Sequence, residues 1–319
     1  MLFSILKIPS KLALPIYCRN LIINKKEILY HPGPLLIASN HPNSFLDAII
    51  MATIFNRPVY SLARGDTFKN KFISRILYGI NILPVYRISE GAENLNINYD
   101  TFAKCRDIFK RNGIVLIFSE GLCVNEWKLR SLKKGTARLA FSSWQEDINV
   151  TVLPTGINYH SFKTFGKNIQ LKFGNSFNRD EFDYKNMDGN AIKSFNEKLK
   201  NELTQLVAEI ENNDKVKQKE VFEIKQKSIK KNLLFIPAIF GRWIHAPLYN
   251  PIQKFTQSKA GKSDHYDSIL VGLLFLLYPI YLSLIAIAIY LWLGSWYWML
   301  TFVIFPFLAW SFVQLKKQF

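Results

Sequence analysis

The C-terminal end of the chain constrains the fold most strongly, because it holds two long apolar runs without a charged side chain. Residues 269–293 and 296–313 contain no Asp, Glu, Lys or Arg, and Gly294 and Ser295 form a minimal turn between them. At about 1.5 Å per residue, each helical run is long enough, or nearly so, to cross a hydrocarbon core of about 30 Å. We therefore predict a two-helix transmembrane hairpin over residues 267–319. The alternative is a buried hairpin of a soluble protein.

The residues around these runs favour the membrane. Trp292, Trp296 and Trp298 cluster at the turn, as in an aromatic belt, and lysines flank the outer ends. The positive-inside rule then places both ends of the hairpin in the cytoplasm. The hairpin has no ionisable side chain between Asp267 and Lys316, so we expect it to anchor the protein without contributing to a reaction site.

Charge suggests further contacts with a membrane. The net charge is +17 over 319 residues, and much of the excess lies between residues 215 and 231. We predict that residues 213–266 form a basic juxtamembrane linker that meets anionic membrane lipid rather than nucleic acid, although a solvated linker without a partner fits equally well. Residues 1–30 begin with apolar and basic side chains but lack a secretion signal, which favours an interfacial segment lying on the membrane.

The intervening residues 31–212 alternate between strand and helix patterns, which predicts an α/β domain with a mostly parallel sheet flanked by helices. Apolar runs predict strands at 34–39, 58–63, 80–86, 114–118, 150–155 and 169–173. Helical patterns cover 44–55, 68–78, 99–110, 136–144 and about 191–211. The three cysteines show no metal-ligand spacing, as expected of a reduced cytoplasmic domain without a metal.

Polar side chains follow the ends of successive predicted strands. They are His41, Arg64, Arg87, Glu120 and Thr155. Open α/β sheets bind ligands at the carboxyl ends of their strands, so we expect these segments to converge on one site. Arg64 taken alone is better explained as a surface charge.

His41 and Asp47 have the residue types needed to deprotonate a hydroxyl. An imidazole can accept a proton near neutral pH, and a carboxylate bonded to its other ring nitrogen fixes the tautomer and stabilises the imidazolium. Ser44 and Asp47 also match a helix capping box. Both interpretations are open at this stage.

Two further motifs favour an anionic ligand. Arg87 ends an apolar strand pattern, and a guanidinium can hold a phosphate through two parallel hydrogen bonds. Ser119, Glu120 and Gly121 follow a run of five apolar residues, and the glycine allows close approach to a ligand. Residues 133–136 open a predicted helix, whose free N–H groups also attract anions.

Taken together, these motifs resemble the glycerolipid acyltransferase family, which contains lysophosphatidate and glycerol-3-phosphate acyltransferases. The resemblance covers residues 35–173 and rests on four blocks in the family's order, at 40–47, 79–87, 118–121 and 150–154. It implies that His41 is the general base and Asp47 its orienting acid. It further implies that Arg87, Ser119, Glu120 and Gly121 bind the acceptor, and that Pro154 belongs to the wall of the acyl-donor site.

The implied reaction is transfer of a fatty acyl group from acyl-CoA or acyl carrier protein to the hydroxyl of lysophosphatidate, at the cytoplasmic side of the cell inner membrane. No other cofactor is expected. The chain departs from the family by having five rather than four residues between His41 and Asp47, Ser119 where most members have Pro, and Leu122 and Cys123 where many have Thr and Arg. Glycerol-3-phosphate, a lyso-aminolipid, or a non-catalytic lipid-binding role therefore stay as alternatives.

Overall fold

The structure, a computed structural model, describes residues 2–86, 95–211 and 213–317, with the side chains of residues 95–97 left out. These residues form one sheet of seven strands in the order β1-β7-β6-β2-β5-β3-β4. The strands are β1 (Cys18–Ile23), β2 (Leu35–Ser39), β3 (Val59–Arg64), β4 (Ile82–Val85), β5 (Ile114–Phe118), β6 (Thr151–Tyr159) and β7 (Lys167–Phe173).

The sheet is mostly parallel, as predicted. All neighbouring strands pair in parallel except β6 and β7, which are antiparallel. The central strand β5 has the sequence Ile-Val-Leu-Ile-Phe, and such a continuous apolar run is typical of a strand covered on both faces. In register, Ser39 lies opposite both Phe118 and Thr155, so the loops that follow β2 and β5 begin at the same level of the sheet.

Helices cover both faces of this sheet. The helices before the C-terminal region are α1 (Leu2–Tyr17), α2 (Phe45–Ile54), α3 (Lys71–Gly79), α4 (Leu95–Lys110), α5 (Gly135–Gln145) and α6 (Gly189–Leu206). Phe109, Phe141 and Phe195 of α4, α5 and α6 belong to the core on one face. Met51 and Phe55 of α2 belong to the core on the other. The α/β fold class predicted from the alternating pattern is confirmed.

The N-terminal segment differs from the prediction of an interfacial stretch over residues 1–30. Residues 2–17 form α1, which exposes Ile5, Ile8 and Leu12, but Cys18–Ile23 form β1 and pair with β7 at the edge of the sheet. The apolar side chains of this short strand pack into the core beside α2, so the domain begins before residue 31.

The C-terminal region also differs from the predicted linker over 213–266. It contains α7 (Lys215–Phe222) and the long helix α8 (Ser228–Ala260), followed by α9 (Tyr266–Leu293) and α10 (Thr301–Leu315). A Cβ atom on Gly241 of α8 would lie 2.1 Å from the carbonyl oxygen of Leu308 in α10. This glycine therefore lets the two helices cross closely, as small residues do in membrane helix pairs.

In the described part of the chain, two helical stretches are long and apolar enough to cross a membrane, Tyr266–Leu293 and Trp296–Leu315. Only 17% and 28% of their most apolar 18-residue windows are buried. A hairpin in the core of a soluble protein would be mostly buried, so this exposure argues against that alternative.

Candidate active site

The loop after β2 carries His41 and is fixed at its start by Asn40. The Asn40 side chain is buried, donates to the carbonyl oxygen of Ile157 at 3.0 Å and accepts from the amide of the same residue at 2.8 Å. This pair of bonds joins the loop to strand β6, so His41 begins from a defined backbone position.

The structure brings His41 and Asp47 together. Nδ1 of His41 lies 2.8 Å from Oδ2 of Asp47, which stands in the first turn of α2 with a side chain that is 0% exposed. The same carboxylate accepts from the amide of Asn43 at 2.9 Å and from the hydroxyl of Tyr159 at 2.7 Å. Two donors besides the imidazole thus hold this buried carboxylate in place.

The capping box does not form. The Ser44 side chain makes no cap hydrogen bond to α2, and its hydroxyl instead lies 2.5 Å from Nδ1 of His265. The Ser44 amide donates to the sulfur of Cys123 at 2.9 Å. Burial, followed by the negative charge of Asp47, raises the pKa of the Cys123 thiol, so this sulfur stays protonated and is a poor nucleophile.

The other nitrogen of His41 is available for chemistry. Within the chain as described, no residue forms a hydrogen bond to Nε2, and 18% of the side chain is exposed. The ring stacks on Phe118 with a centroid distance of 3.8 Å and an interplanar angle of 10°. Because Asp47 accepts from Nδ1–H, the neutral ring presents a lone pair at Nε2, which is the form required of a general base.

Glu120 supports this loop rather than presenting a free carboxylate. It is buried, and its two oxygens accept from the amides of His41 at 2.9 Å and Arg130 at 2.8 Å. Burial raises the pKa of the Glu120 carboxyl, while these two amides oppose the shift. Glu120 therefore ties the loop after β5 to the backbone of the candidate base, where the resemblance implied contact with the acceptor.

The two neighbours of Glu120 have different surroundings. Ser119 is buried and accepts from the hydroxyl of Thr136 at 2.9 Å, so it joins β5 to the start of α5. Gly121 has a positive φ of 65°, which favours glycine, and a Cβ atom there would lie 3.0 Å from the side chain of Lys133. Gly121 thus leaves room for the side chain of the exposed residue Lys133.

Two other polar or motif residues, Pro154 and Arg64, are not brought into this arrangement. Arg87 lies outside the described residues. Pro154 is in β6, opposite Ala38 of β2 and on the α6 side of the sheet, where it approaches Gly174. Tyr159, which reaches Asp47, faces the opposite side because side chains alternate along a strand. Arg64 is exposed and pairs with Asp66, consistent with a surface charge.

Sequence reasoning missed a second buried network beside the first. Oδ2 of Asp267, in the first turn of α9, accepts from Tyr17 at 2.6 Å, from the Asn43 side chain at 2.8 Å and from Lys167. Lys167 is fully buried, and burial lowers the pKa of its ammonium, whereas Asp267 opposes that shift. The hairpin predicted to be a separate anchor therefore contacts the loop that carries His41.

Two further contacts support this connection. The backbone amide of Asn125 donates to the carboxylate of Asp264, just before α9, at 3.1 Å, and the Asn125 side chain donates to the carbonyl of Pro42 at 2.7 Å. The sequence signal for such a network was a charged residue just before an apolar run: Asp267 precedes residues 269–293, and Lys167 precedes residues 169–173. Across residues 2–86, 95–211 and 213–317, no cluster of three or more His, Cys, Asp or Glu side chains could hold a metal ion.

Comparison with known proteins agrees with this geometry. Residues 20–158 match the family model Acyltransferase, a segment that includes His41, Asp47 and Glu120. A 1-acyl-sn-glycerol-3-phosphate acyltransferase from Chlamydomonas reinhardtii is 25% identical over 153 residues, which cover 48% of this chain and 43% of that relative. The chain thus spans less than half the length of this curated relative.

A solved structure, the 1-acyl-sn-glycerophosphate (LPA) acyltransferase PlsC from Thermotoga maritima, is similar over 64% of this chain and 78% of its own, with 14% identity and a TM-score of 0.45. All four motif blocks, at residues 40–47, 79–87, 118–121 and 150–154, lie within the segment that matches the family model. Residues 20–158, somewhat less than half of the chain, therefore match an acyltransferase domain.

Proposed function

We propose that this protein is a membrane-bound O-acyltransferase that transfers a fatty acyl group from an acyl thioester to the hydroxyl of 1-acylglycerol-3-phosphate. The observation that carries the proposal is the 2.8 Å contact between His41 Nδ1 and the fully buried Asp47 carboxylate, which leaves Nε2 of this partly exposed side chain to act on a substrate. The acyl donor is acyl-CoA or acyl carrier protein, used as a co-substrate.

In the proposed reaction, the acceptor hydroxyl lies against Nε2 of His41. The hydroxyl oxygen attacks the thioester carbonyl carbon while Nε2 takes its proton, and Asp47 stabilises the resulting imidazolium. The C–S bond then breaks, the sulfur leaves as thiolate, and the imidazolium returns the proton to it. The products are the acylated acceptor and the free thiol, so no protons or electrons are left over.

Tyr159 assists by holding Asp47. Burial, and then the charge of Asp47, raise the pKa of the Tyr159 hydroxyl well above its ordinary value, so this group remains a proton donor. Asp47 therefore keeps Oδ2 directed at His41 while Oδ1 is occupied at 2.7 Å. A fixed carboxylate holds the imidazole in one orientation, which is what a general base needs.

Lysophosphatidate is the proposed acceptor because the curated relative bears that activity in its name and because cationic groups adjoin the loop. Lys133 packs against Gly121, and α5 begins at Gly135, so its N-terminal amides attract anions. Arg87 is proposed to contact the phosphate. The five-residue spacing between His41 and Asp47 favours glycerol-3-phosphate as a second candidate, and the missing family arginine keeps a lyso-aminolipid as a third.

We place the catalytic domain on the cytoplasmic side of the cell inner membrane, with α9 and α10 as the spanning hairpin. Helices α1, α3 and α8 also expose apolar side chains, which would lie in the interface with lipid. The most exposed of these are Ile8, Leu12, Phe72, Ile229, Leu233 and Trp243. Such a surface would let an acceptor that already resides in the bilayer reach the site.

An acceptor panel tests the proposal. Membranes containing the protein receive labelled acyl donor with lysophosphatidate, glycerol-3-phosphate or a lyso-aminolipid, and labelled product is measured. We expect product from a phosphate-bearing acceptor, with lysophosphatidate preferred. Product from the lyso-aminolipid alone would refute the phosphate contact while keeping the acyl transfer, and no product from any acceptor would instead favour a non-catalytic lipid-binding protein.

A further inference from the structure

A basic cavity lies away from the His41 loop, where β1, α7, α8 and α10 meet. It has a volume of about 530 Å³ and is lined by Arg19, Lys219, Lys231, Lys316 and Lys317. The carboxylate in this lining belongs to Glu223, which lies 3.8 Å from Lys219. The cavity therefore carries a clear excess of positive charge.

Arg19 is the most informative of these residues. It is only 8% exposed, and its Nη1 donates to the carbonyl of Lys316 at 2.7 Å, but its Nε is buried without an acceptor. No carboxylate of the described chain forms an ion pair with it. Burial lowers the pKa of this guanidinium, yet an arginine side chain stays charged at neutral pH. A buried charge without a counter-charge is costly, so an anion in this cavity would be stabilising.

The surroundings indicate what kind of molecule carries that anion. Phe235 of α8 lines the same cavity and is 60% exposed, and the neighbouring Leu233 and Ile236 are also exposed. The cavity thus places cations beside an apolar surface, next to the end of the apolar helix α10. A ligand with a phosphate head and an acyl chain matches both features.

We infer that this cavity binds the phosphate headgroup of an anionic membrane lipid. The site is separate from the candidate active site, because β7 and β6 lie between β1 and the strand that leads to His41. Arg19 pairs with the phosphate, Lys231 and Lys317 supply further positive charge, and Phe235 contacts the acyl chain. Basic cavities beside membrane helices on the cytoplasmic side are suited to such headgroups.

The test measures lipid retention by the full-length protein in neutral detergent. Native mass spectrometry counts bound lipid as phosphatidylglycerol or phosphatidylcholine is titrated, and a parallel series contains inorganic phosphate. The variants are Arg19→Gln and the exposed pair Lys231→Gln with Lys317→Gln, which is expected to fold normally. Lys225→Gln is the matched control, because Lys225 is exposed in the same basic stretch but does not line the cavity.

We expect one phosphatidylglycerol molecule to bind in preference to phosphatidylcholine, and Arg19→Gln to weaken this binding roughly 10- to 100-fold through loss of a charge-assisted contact. The lysine pair should weaken it less and Lys225→Gln hardly at all. Without lipid, Arg19→Gln should not lower the melting temperature, because it removes an unpaired buried charge.

Equal binding of the two lipids by the wild-type protein would overturn the proposal, as would equal effects of Arg19→Gln and Lys225→Gln. Displacement of phosphatidylglycerol by millimolar inorganic phosphate would show that the cavity recognises phosphate but takes it from solution, which refutes the lipid as its source. None of these results depends on acyl transfer, so they leave the proposed function to its own test.

Discussion

The His41 end of the sheet and the start of helix α9 both bury a carboxylate, but they satisfy it in different ways. Asp47 is held by His41 and Asn43 of its own loop and by Tyr159 at the end of strand β6. Asp267 accepts from Tyr17, Asn43 and Lys167, which lie 250, 224 and 100 residues away along the chain. The first arrangement joins the His41 loop to strand β6, whereas the second joins the N-terminal helix, the His41 loop and the sheet to the hairpin.

The hairpin of α9 and α10 therefore contributes contacts to the His41 loop, beyond the anchoring predicted from its sequence. Asn43 takes part in both networks, because its backbone amide donates to Asp47 and its side chain donates to Asp267. A substitution of Asp267 can therefore affect the position of Asp47, and with it His41, through Asn43. The expectation that the hairpin anchors the protein without contributing to the reaction site does not fit these contacts.

Replacing Asp267 gives the largest predicted effect on stability. Asp267→Ala leaves the fully buried Lys167 without its partner, which costs roughly 3 to 5 kcal/mol where a buried pair is broken. We expect a large fall in the melting temperature in mild detergent. A protein that ends after Gly261 should show the same fall, since it also lacks Asp267.

A double variant tests whether the loss of stability comes from the unpaired charge of Lys167. Lys167→Met with Asp267→Leu removes both charges and should regain most of the stability, because an apolar pair of similar volume often replaces a buried ion pair. Turnover of the double variant should be low, as in Asp267→Ala, because both variants lack the carboxylate that accepts from the Asn43 side chain. Wild-type stability and turnover in Asp267→Ala would contradict the proposed link between α9 and the His41 loop, and would favour the hairpin as an independent anchor.

Tyr159→Phe tests the Asp47 network without changing Asp267. It removes one donor to the buried Asp47 carboxylate, so we expect kcat to fall about tenfold, equivalent to about 1.4 kcal/mol, with little change in the acceptor KM. Tyr60→Phe is the control, since Tyr60 packs on the other face of the sheet. An equal loss in both variants would point to a general effect on packing rather than to support of Asp47.

Glu120→Gln is expected to have the smallest effect, which is a change in how the stability of the protein depends on pH. Burial raises the pKa of Glu120 in the folded protein above its unfolded value, so the folded state binds the proton more tightly. The stability of the wild-type protein should therefore rise as the pH falls from 7 through this raised pKa, and Glu120→Gln should lack that contribution. Melting temperatures measured from pH 7 to pH 5 check this, and identical pH profiles would contradict the assignment.

The fold of the core could be predicted because each element carries its own signal. The apolar run of β5 was predicted at residues 114–118 and is found there. Strand β1 was missed because its six residues include Arg19 and Asn20, and because, as an edge strand, it pairs only with β7. Its strand character comes from that partner rather than from its own pattern.

The candidate site was predictable to the extent that its parts are close in sequence. His41 and Asp47 were recognised from their spacing, and the structure places them in contact. Tyr159, Lys167 and Asp267 were not recognised, because no periodicity links residues that meet only after the sheet and the C-terminal helices have assembled. Pro154 belongs to a motif block, but strand alternation turns it toward α6.

The role of His41 as the general base is tested by the turnover of the His41→Ala variant. Labelled product is measured with lysophosphatidate and acyl-CoA for the wild-type protein, His41→Ala and the control His31→Ala. The imidazole of His31 accepts from the Gly33 amide and lies before strand β2, whereas His41 follows that strand. We predict a loss of kcat of roughly 10²- to 10⁴-fold in His41→Ala at an unchanged melting temperature, and near wild-type turnover in His31→Ala. Substantial turnover by a folded His41→Ala protein would contradict the mechanism.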